Sequence, residues 1–175
     1  MLQEQTGRLS HLAEILLDMT GVQTVERSER ISLAALTDEV FCDLASVAEQ
    51  KEVELIQQEG DCIITGSYLL LYRAVYNLVE NAIKYNHSGG KVTVNIHLSE
   101  EITDTSTSDN YAFLEVSDTG IGIPPEYQEK IFTPFFRVDK SRSRAMGGAG
   151  LGLALVSEIV RQHNGQVKVL ESSKK

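Results

Sequence analysis

Ten consecutive residues, NLVENAIKYN, hold Asn77, Asn81 and Lys84 at spacings of four and three. At about 100° per residue of helix these fall on one narrow stripe, with Arg73 and Glu80 at its margin. Leu71, Val75, Leu78 and Ala82 take the other side. The apolar side is expected to face a sheet and the polar stripe a cleft. A merely solvated face would favour Glu and Lys, which are better helix formers than Asn. An amide carbonyl suits a hard cation such as Mg2+, and a lysine suits phosphate as a point charge.

Two further stretches carry chemistry. In VSDTGIGIP, Asp118 ends an expected strand and Gly120 and Gly122 follow it. A carboxylate there can accept from an exocyclic amine, and glycines let the backbone pass close to a ring. An ordinary Asp-Gly turn would read the same way. In GGAGLGLAL, Gly148, Gly150 and Gly152 lead into a helix whose first N–H groups form an anion site. The spacing is GxGxG rather than the GxGxxG of a dinucleotide site, and no GK[ST] follows.

These residues need a scaffold. The 175 residues suit one domain plus a short appendage, and 42% apolar content supports a core. A net charge of −9 argues against nucleic acid as a partner. Cys42 and Cys62 form no ligand-like pattern, sit in apolar patterns and are read as reduced, buried thiols. No run is long and apolar enough for a membrane span, and the N-terminus is no signal peptide. Periodicity predicts a one-stripe helix over residues 9–19, a link over 23–30, a strand at ERISL and a helix over 33–49 with Leu36, Val40, Leu44 and Val47 inward. Strands are expected over 53–56 and 62–65, around a turn at Gly60-Asp61. The opening helix spans 69–85; strands at 91–98 and 111–117 flank a polar loop over 103–110. Residues 119–148 are rich in glycine, proline and charge, as functional lids are. A helix over 150–163 and a last strand over 167–170 complete an α+β fold, a two-layer sandwich of one mixed sheet and one helical layer.

Taken in order, the amide-rich helix, the DxGxG turn, the lid and the second glycine run resemble the ATP-binding catalytic domain of bacterial two-component sensor histidine kinases, in the gyrase, chaperone, kinase and mismatch-repair ATPase superfamily. The resemblance covers residues 31–172: NLVENAIKYN resembles the N box, DTGIGIP the G1 box, IFTPFFRVD the F box and GGAGLGLAL the G2 box. It implies ATP and Mg2+ as ligands. Asn81 would hold the metal, with Asn77 lining the phosphate region and Lys84 touching phosphate. Tyr85 would pack near adenine or ribose and Asp118 would bind the adenine amine, in a pocket shaped by Gly120, Gly122 and Ile123. Gly148, Gly150, Leu151, Gly152 and Leu153 would wrap the triphosphate. Arg137 and Arg142 would neutralise the transferring phosphoryl group. Phe132, Phe135 and Phe136 would anchor the lid, meet a neighbouring helix or pack in the core.

The resemblance also implies a division of the chain: residues 1–22 as the tail of a second dimerisation helix, 23–30 as linker, 31–175 as the catalytic domain lacking its final strand. In gyrase-like members a glutamate four residues before the metal-binding asparagine activates water; here that position is Asn77, which is no base. Transfer to a histidine therefore fits better than hydrolysis. Ser10-His11 lacks the Arg-Thr-Pro of the phosphoacceptor motif, so the acceptor is expected on a dimerisation domain absent here, with a response regulator downstream and a homodimer as the full-length state. His97 and His163 carry no partner pattern, and His87, in the loop after the amide-rich helix, is expected to be exposed. A hydrolytic ATPase, an anti-sigma-type serine kinase and a non-enzymatic nucleotide-binding module are the alternatives. The expected location is cytoplasmic, as part of a membrane-anchored sensor. The lid is expected to be mobile without nucleotide and more ordered with it.

Overall fold

The computed structural model of the chain describes residues 25–101, 109–138 and 150–172. The expected helix over 9–19, with His11, lies outside them, as do Arg142 and Gly148. The elements are β1 (Glu29–Ser32), α1 (Leu33–Gln50), β2 (Glu54–Gln57), β3 (Ile63–Gly66), α2 (Tyr68–Lys84), β4 (Lys91–Glu101), β5 (Asp109–Asp118) and α3 (Gly152–Gln162), with short 3-10 turns at Pro125–Tyr127 and Lys130–Phe132. The chain is α+β, as expected.

Two compact units divide these elements. The first comprises Arg27–Tyr68 and Val79–Gly120. In it, β2, β4 and β5 form a mixed sheet in the order β2-β4-β5, while β1 and β3 make a separate antiparallel ribbon. β2 runs parallel to β4, and β4 antiparallel to β5 with Val92 opposite Asp118 and His97 opposite Phe113. Val92, Val94 and Ile96 alternate on the buried face of β4, as period-2 side chains must.

Helix α1 starts where two side chains meet its open N–H groups. Ser32 accepts from Ala35 N at 3.1 Å, and Asp61 accepts from Ala34 N at 2.9 Å and from the Ser32 hydroxyl at 2.8 Å. Those bonds, the Ala34 amide first, hold the Asp61 carboxyl below its ordinary value. They also explain why β2 and β3 do not form a hairpin around Gly60-Asp61. Asp61 is drawn to the start of α1, and Gly60 (φ 147°) passes so close to the Ile96 carbonyl that a side chain would collide. The buried stripe of α1 steps by four from Leu36 through Val40 and Leu44 to Ala48. Its last turn therefore buries Ala48 and leaves Val47, expected inward, 42% exposed.

Helix α2 begins with Tyr68 N bonded to the Glu29 carboxylate at 3.0 Å, because Ser67 offers no side-chain cap. At the other end, Lys51 Nζ donates to the Lys84 carbonyl, a cation at a helix C-terminus.

The second unit takes Leu69–Leu78 and the described residues from Ile121 onward. Its core joins Leu70 and Ala74 of α2 to Leu155, Val156 and Ile159 of α3, with Val160 and Val167 partly buried against them. Residues 167–170, expected as a strand, pair with no strand among the described residues. The alternation is present, since Val167 and Val169 are half-buried and Lys168 and Leu170 exposed, but the ladder partner is missing. The extra length of β4 and β5 absorbs residues 109–110 of the expected polar loop; residues 102–108 lie outside the described ones.

Candidate nucleotide site

In the first unit the last turns of α2 carry Asn81, Lys84 and Tyr85. Asn81 is half-buried, and its amide makes no hydrogen bond among the described residues. A half-buried amide oxygen without a donor fits a hard cation, so Asn81 can hold Mg2+. Glu80, at the margin of the stripe, is exposed. Lys84 Nζ lies 5.6 Å from the Tyr85 ring centroid.

Asp118 ends β5. Its Oδ1 accepts from Gly120 N at 2.8 Å, an Asx turn that orients the carboxylate. The second oxygen remains available as an acceptor in an exposed position. Gly120 is required here by a neighbour within the protein: a Cβ would lie 2.5 Å from the Tyr85 carbonyl oxygen and 2.8 Å from Asp118 Oδ1. Next to this contact sits a buried asparagine, Asn86, 7% exposed. Its Oδ1 accepts from His87 N at 3.0 Å and from the Thr119 hydroxyl at 3.1 Å, and its Nδ2 donates to the Lys91 carbonyl at 2.9 Å.

In the second unit Asn77 turns its amide back on its own helix, donating to the Arg73 carbonyl at 2.8 Å. Gly122 sits at φ 68°, where L side chains are strained. Ile123 N donates to the Ser172 hydroxyl at 2.7 Å. Phe135 N donates to the Gly150 carbonyl at 2.8 Å, and Gly150 (φ 74°) lies so close to the Phe136 carbonyl that a Cβ would stand 2.7 Å from it and 3.1 Å from Arg137 Cγ. Glycine thus lets the start of α3 pack on the Phe135–Arg137 backbone. Leu151 is buried at the N-cap position, and Gly152 and Leu153 open the helix half-buried. Among the described residues no side chain caps this N-terminus, and no acidic residue sits in its first turn, which suits it to an anion. Beside Gly150, Arg137 is half-buried, and its Nε and one Nη are shielded from solvent with no hydrogen-bond partner among the described residues. Unmatched guanidinium donors out of water call for an oxyanion.

Of the three phenylalanines, Phe132 and Phe136 are half-buried, Phe136 with its ring 5.6 Å from that of Tyr127. Phe135 is 59% exposed and held at φ 64°. His87 is exposed; His97 stacks on Phe113 at 5.2 Å, and His163 Nδ1 lies 2.7 Å from the Ile159 carbonyl at the end of α3. Sequence reasoning assigned no role to Asn86 or Thr119. The available signal was a third asparagine closing the polar stretch and a hydroxyl directly after the aspartate.

Residues 66–175, well over half of the chain, match the family described as histidine kinase-, DNA gyrase B- and HSP90-like ATPase. The chain belongs to that family. Among its relatives, the sensor histidine kinase RppB of Synechocystis sp. is 36% identical over 173 residues, 95% of this chain and 36% of that protein. The sensor histidine kinase WalK of Bacillus subtilis is 31% identical over 170 residues, 94% of this chain and 26% of that protein. The chain therefore spans roughly a third or less of these curated relatives. Among solved structures, the mycobacterial sensor histidine kinase MprB matches with a TM-score of 0.62 at 28% identity, over 78% of this chain and 80% of that one. Full-length ShkA, solved in complex with AMPPNP, shares the fold with a TM-score of 0.73 at 23% identity, over 97% of this chain and 35% of that one. The α2 helix, the Asp118 turn and the start of α3 all lie within the matched residues 66–175. No described helix is long and apolar enough to cross a membrane.

Proposed function

We propose that the chain is the ATP-binding catalytic domain of a two-component sensor histidine kinase. It transfers the γ-phosphoryl group of ATP to a histidine on a dimerisation domain of the same, homodimeric protein, and a response regulator receives it next. The observation that carries this reading is the half-buried Arg137 guanidinium beside the start of α3, its donors unmatched and the helix start uncapped among the described residues. Together they form the anion receptor that phosphoryl transfer needs.

In this reading Asp118 Oδ2 accepts from the adenine amine and Tyr85 packs on the base or ribose. Lys84 meets phosphate, as do Gly150, Gly152 and Leu153 through backbone N–H groups. The acceptor imidazole nitrogen attacks the γ-phosphorus; the bond to the bridging oxygen breaks, and ADP leaves with the electron pair. Arg137, with Arg142, stabilises the charge on the γ-oxygens as that bond opens. Asn81 would hold Mg2+, which when bound neutralises charge on the phosphate chain.

Kinase rather than hydrolase is favoured by Asn77. It stands where a water-activating glutamate would be, and its amide is committed to the Arg73 carbonyl. The test is labelled ATP with and without a supplied dimerisation domain carrying its histidine. Acid-labile label on the acceptor is expected. Release of inorganic phosphate without the acceptor, at a rate the acceptor does not change, would instead make the chain a hydrolytic ATPase. A location on the cytoplasmic side of a membrane-anchored sensor follows from the same reading, since ATP is there.

A further inference from the structure

Asn86 and Thr119 lie 33 positions apart, and they join the C-terminus of α2 to the loop that carries Asp118. The connection is closed at every atom. The Thr119 hydroxyl accepts from Lys91 N at 2.9 Å and donates to Asn86 Oδ1 at 3.1 Å. Thr119 N donates to the Lys91 carbonyl at 3.1 Å, and Asn86 Nδ2 donates to the same carbonyl at 2.9 Å. His87 N supplies the second donor to Asn86 Oδ1. A one-hydroxyl, one-amide network favours one geometry, because displacing the loop costs hydrogen bonds made by the buried Asn86 side chain.

The geometry it fixes concerns the neighbours. Asn86 follows Tyr85, whose carbonyl oxygen is the atom a Gly120 side chain would strike; Thr119 sits between Asp118 and Gly120. Even Gly90 is committed to the arrangement, since a Cβ there would run into the Asn86 side chain. The bond from Gly120 N to Asp118 Oδ1 orients the carboxylate relative to its own loop. The Asn86–Thr119 bond sets that loop against Tyr85.

We infer that Asn86 and Thr119 are positioning residues that hold the Asp118 carboxylate at the base of the nucleotide, and so set discrimination in favour of a 6-amino purine. This rests on the adenine-reading role proposed for Asp118. Neither side chain needs to touch the nucleotide; both act through the register of Asp118 and Tyr85.

The readout is a ratio. ADP offers Asp118 an amine at position 6, whereas IDP offers a carbonyl. Loosening the register lowers ADP affinity and leaves IDP affinity where it was, while general damage to the fold lowers both. Calorimetric titration of Mg·ADP and Mg·IDP into the full chain, wild type, Thr119→Val and Thr119→Ser, makes the comparison. Thr119→Val keeps shape and removes the hydroxyl on an exposed residue, so folding is retained; Thr119→Ser restores the hydroxyl. Expected is about a tenfold loss of ADP affinity in Thr119→Val, one lost hydrogen-bond connection, with IDP unchanged and Thr119→Ser close to wild type. Asn86→Asp, which keeps the acceptor and loses the donor to Lys91, is expected between the two. Parallel losses for ADP and IDP, or none, overturn this inference and leave the nucleotide reading standing. A wild-type chain that binds neither ligand, or binds both equally, overturns the Asp118 reading and this inference with it.

Discussion

Around Asp118, donors and acceptors are matched step by step: Gly120 N on Oδ1, Thr119 between Lys91 and Asn86, Asn86 filled on both sides of its amide. Around Arg137 the opposite holds: among the described residues, two shielded guanidinium nitrogens have no acceptor, and no side chain caps the helix start beside them. A satisfied network holds one geometry before any ligand arrives, which suits the reading of a base by shape and hydrogen-bond pattern. An unsatisfied cation destabilises its own fold until an oxyanion comes, which suits a group whose task is to receive charge. Specificity and binding strength are thus assigned to different stretches of one chain.

The largest expected effect breaks this contrast or makes it firmer. Arg137→Met keeps the aliphatic stem and removes the donors. Phosphoryl transfer to a supplied acceptor should fall on the order of 10²–10³-fold, while nucleotide-free stability stays level or rises by about 1 kcal/mol, because the desolvated charge is gone. A thermal melt that shows Arg137→Met clearly less stable would mean the guanidinium is already satisfied, and the contrast fails. Gly120→Ala attacks the other side. Its Cβ would stand 2.5 Å from the Tyr85 carbonyl oxygen, so the loop must move. Urea melts should show a loss of about 1–3 kcal/mol, and ADP titration about a tenfold weakening. Near-wild-type values would mean the Asp118 loop is not held as tightly as its bonds suggest.

Asp61→Asn separates fold from site. It weakens the start of α1 by about 0.5–1 kcal/mol at neutral pH, the low end being apt for an exposed pair. The folded carboxyl titrates below its ordinary 3.8, so its contribution is present above that pH and is lost as pH falls through the lowered folded value. The wild-type advantage in melts should therefore shrink as the pH is lowered through and below 3.8, with ADP affinity unchanged at neutral pH. An advantage that grows on acidification would reverse the sign argued here. The smallest effect belongs to Phe135→Gly. Relief of a left-handed phenylalanine, about 1 kcal/mol, is offset by glycine's freedom in the unfolded chain. Stability should stay within about 0.5 kcal/mol of wild type; a loss above about 2 kcal/mol would mean the exposed ring packs on something.

The candidate site residues can be named from the sequence because their signals are local. The stripe of Asn77, Asn81 and Lys84 follows from helical period alone, and Asp118 at a strand end followed by glycines is a pattern of adjacent residues. What escaped depends on distant partners. Gly120 was read as making room for a ring, yet its tight neighbour is the Tyr85 backbone. Asn86 and Thr119 meet across 33 positions, which no periodicity reports. Val47 has the right residue type for a core, but the stripe drifts past it to Ala48. The strands around Gly60-Asp61 were found but their partners were not, because the capping of α1 by Asp61 decides where that turn goes. The strand expected over 167–170 shows the same limit: alternation marks a chain ready to pair, and pairing needs a neighbour.

The proposed function depends above all on the binding of an adenine nucleotide through Asp118. Calorimetric titration of Mg·ATP into the wild-type chain and into Asp118→Asn tests it most directly, with a circular dichroism melt of each sample to show that both are folded. The account predicts saturable one-to-one binding by the wild type and a loss of about 10–100-fold in the variant, the worth of a charge-assisted hydrogen bond. A folded wild-type chain that releases no heat with Mg·ATP, or an Asp118→Asn chain that binds as tightly as wild type, would contradict it.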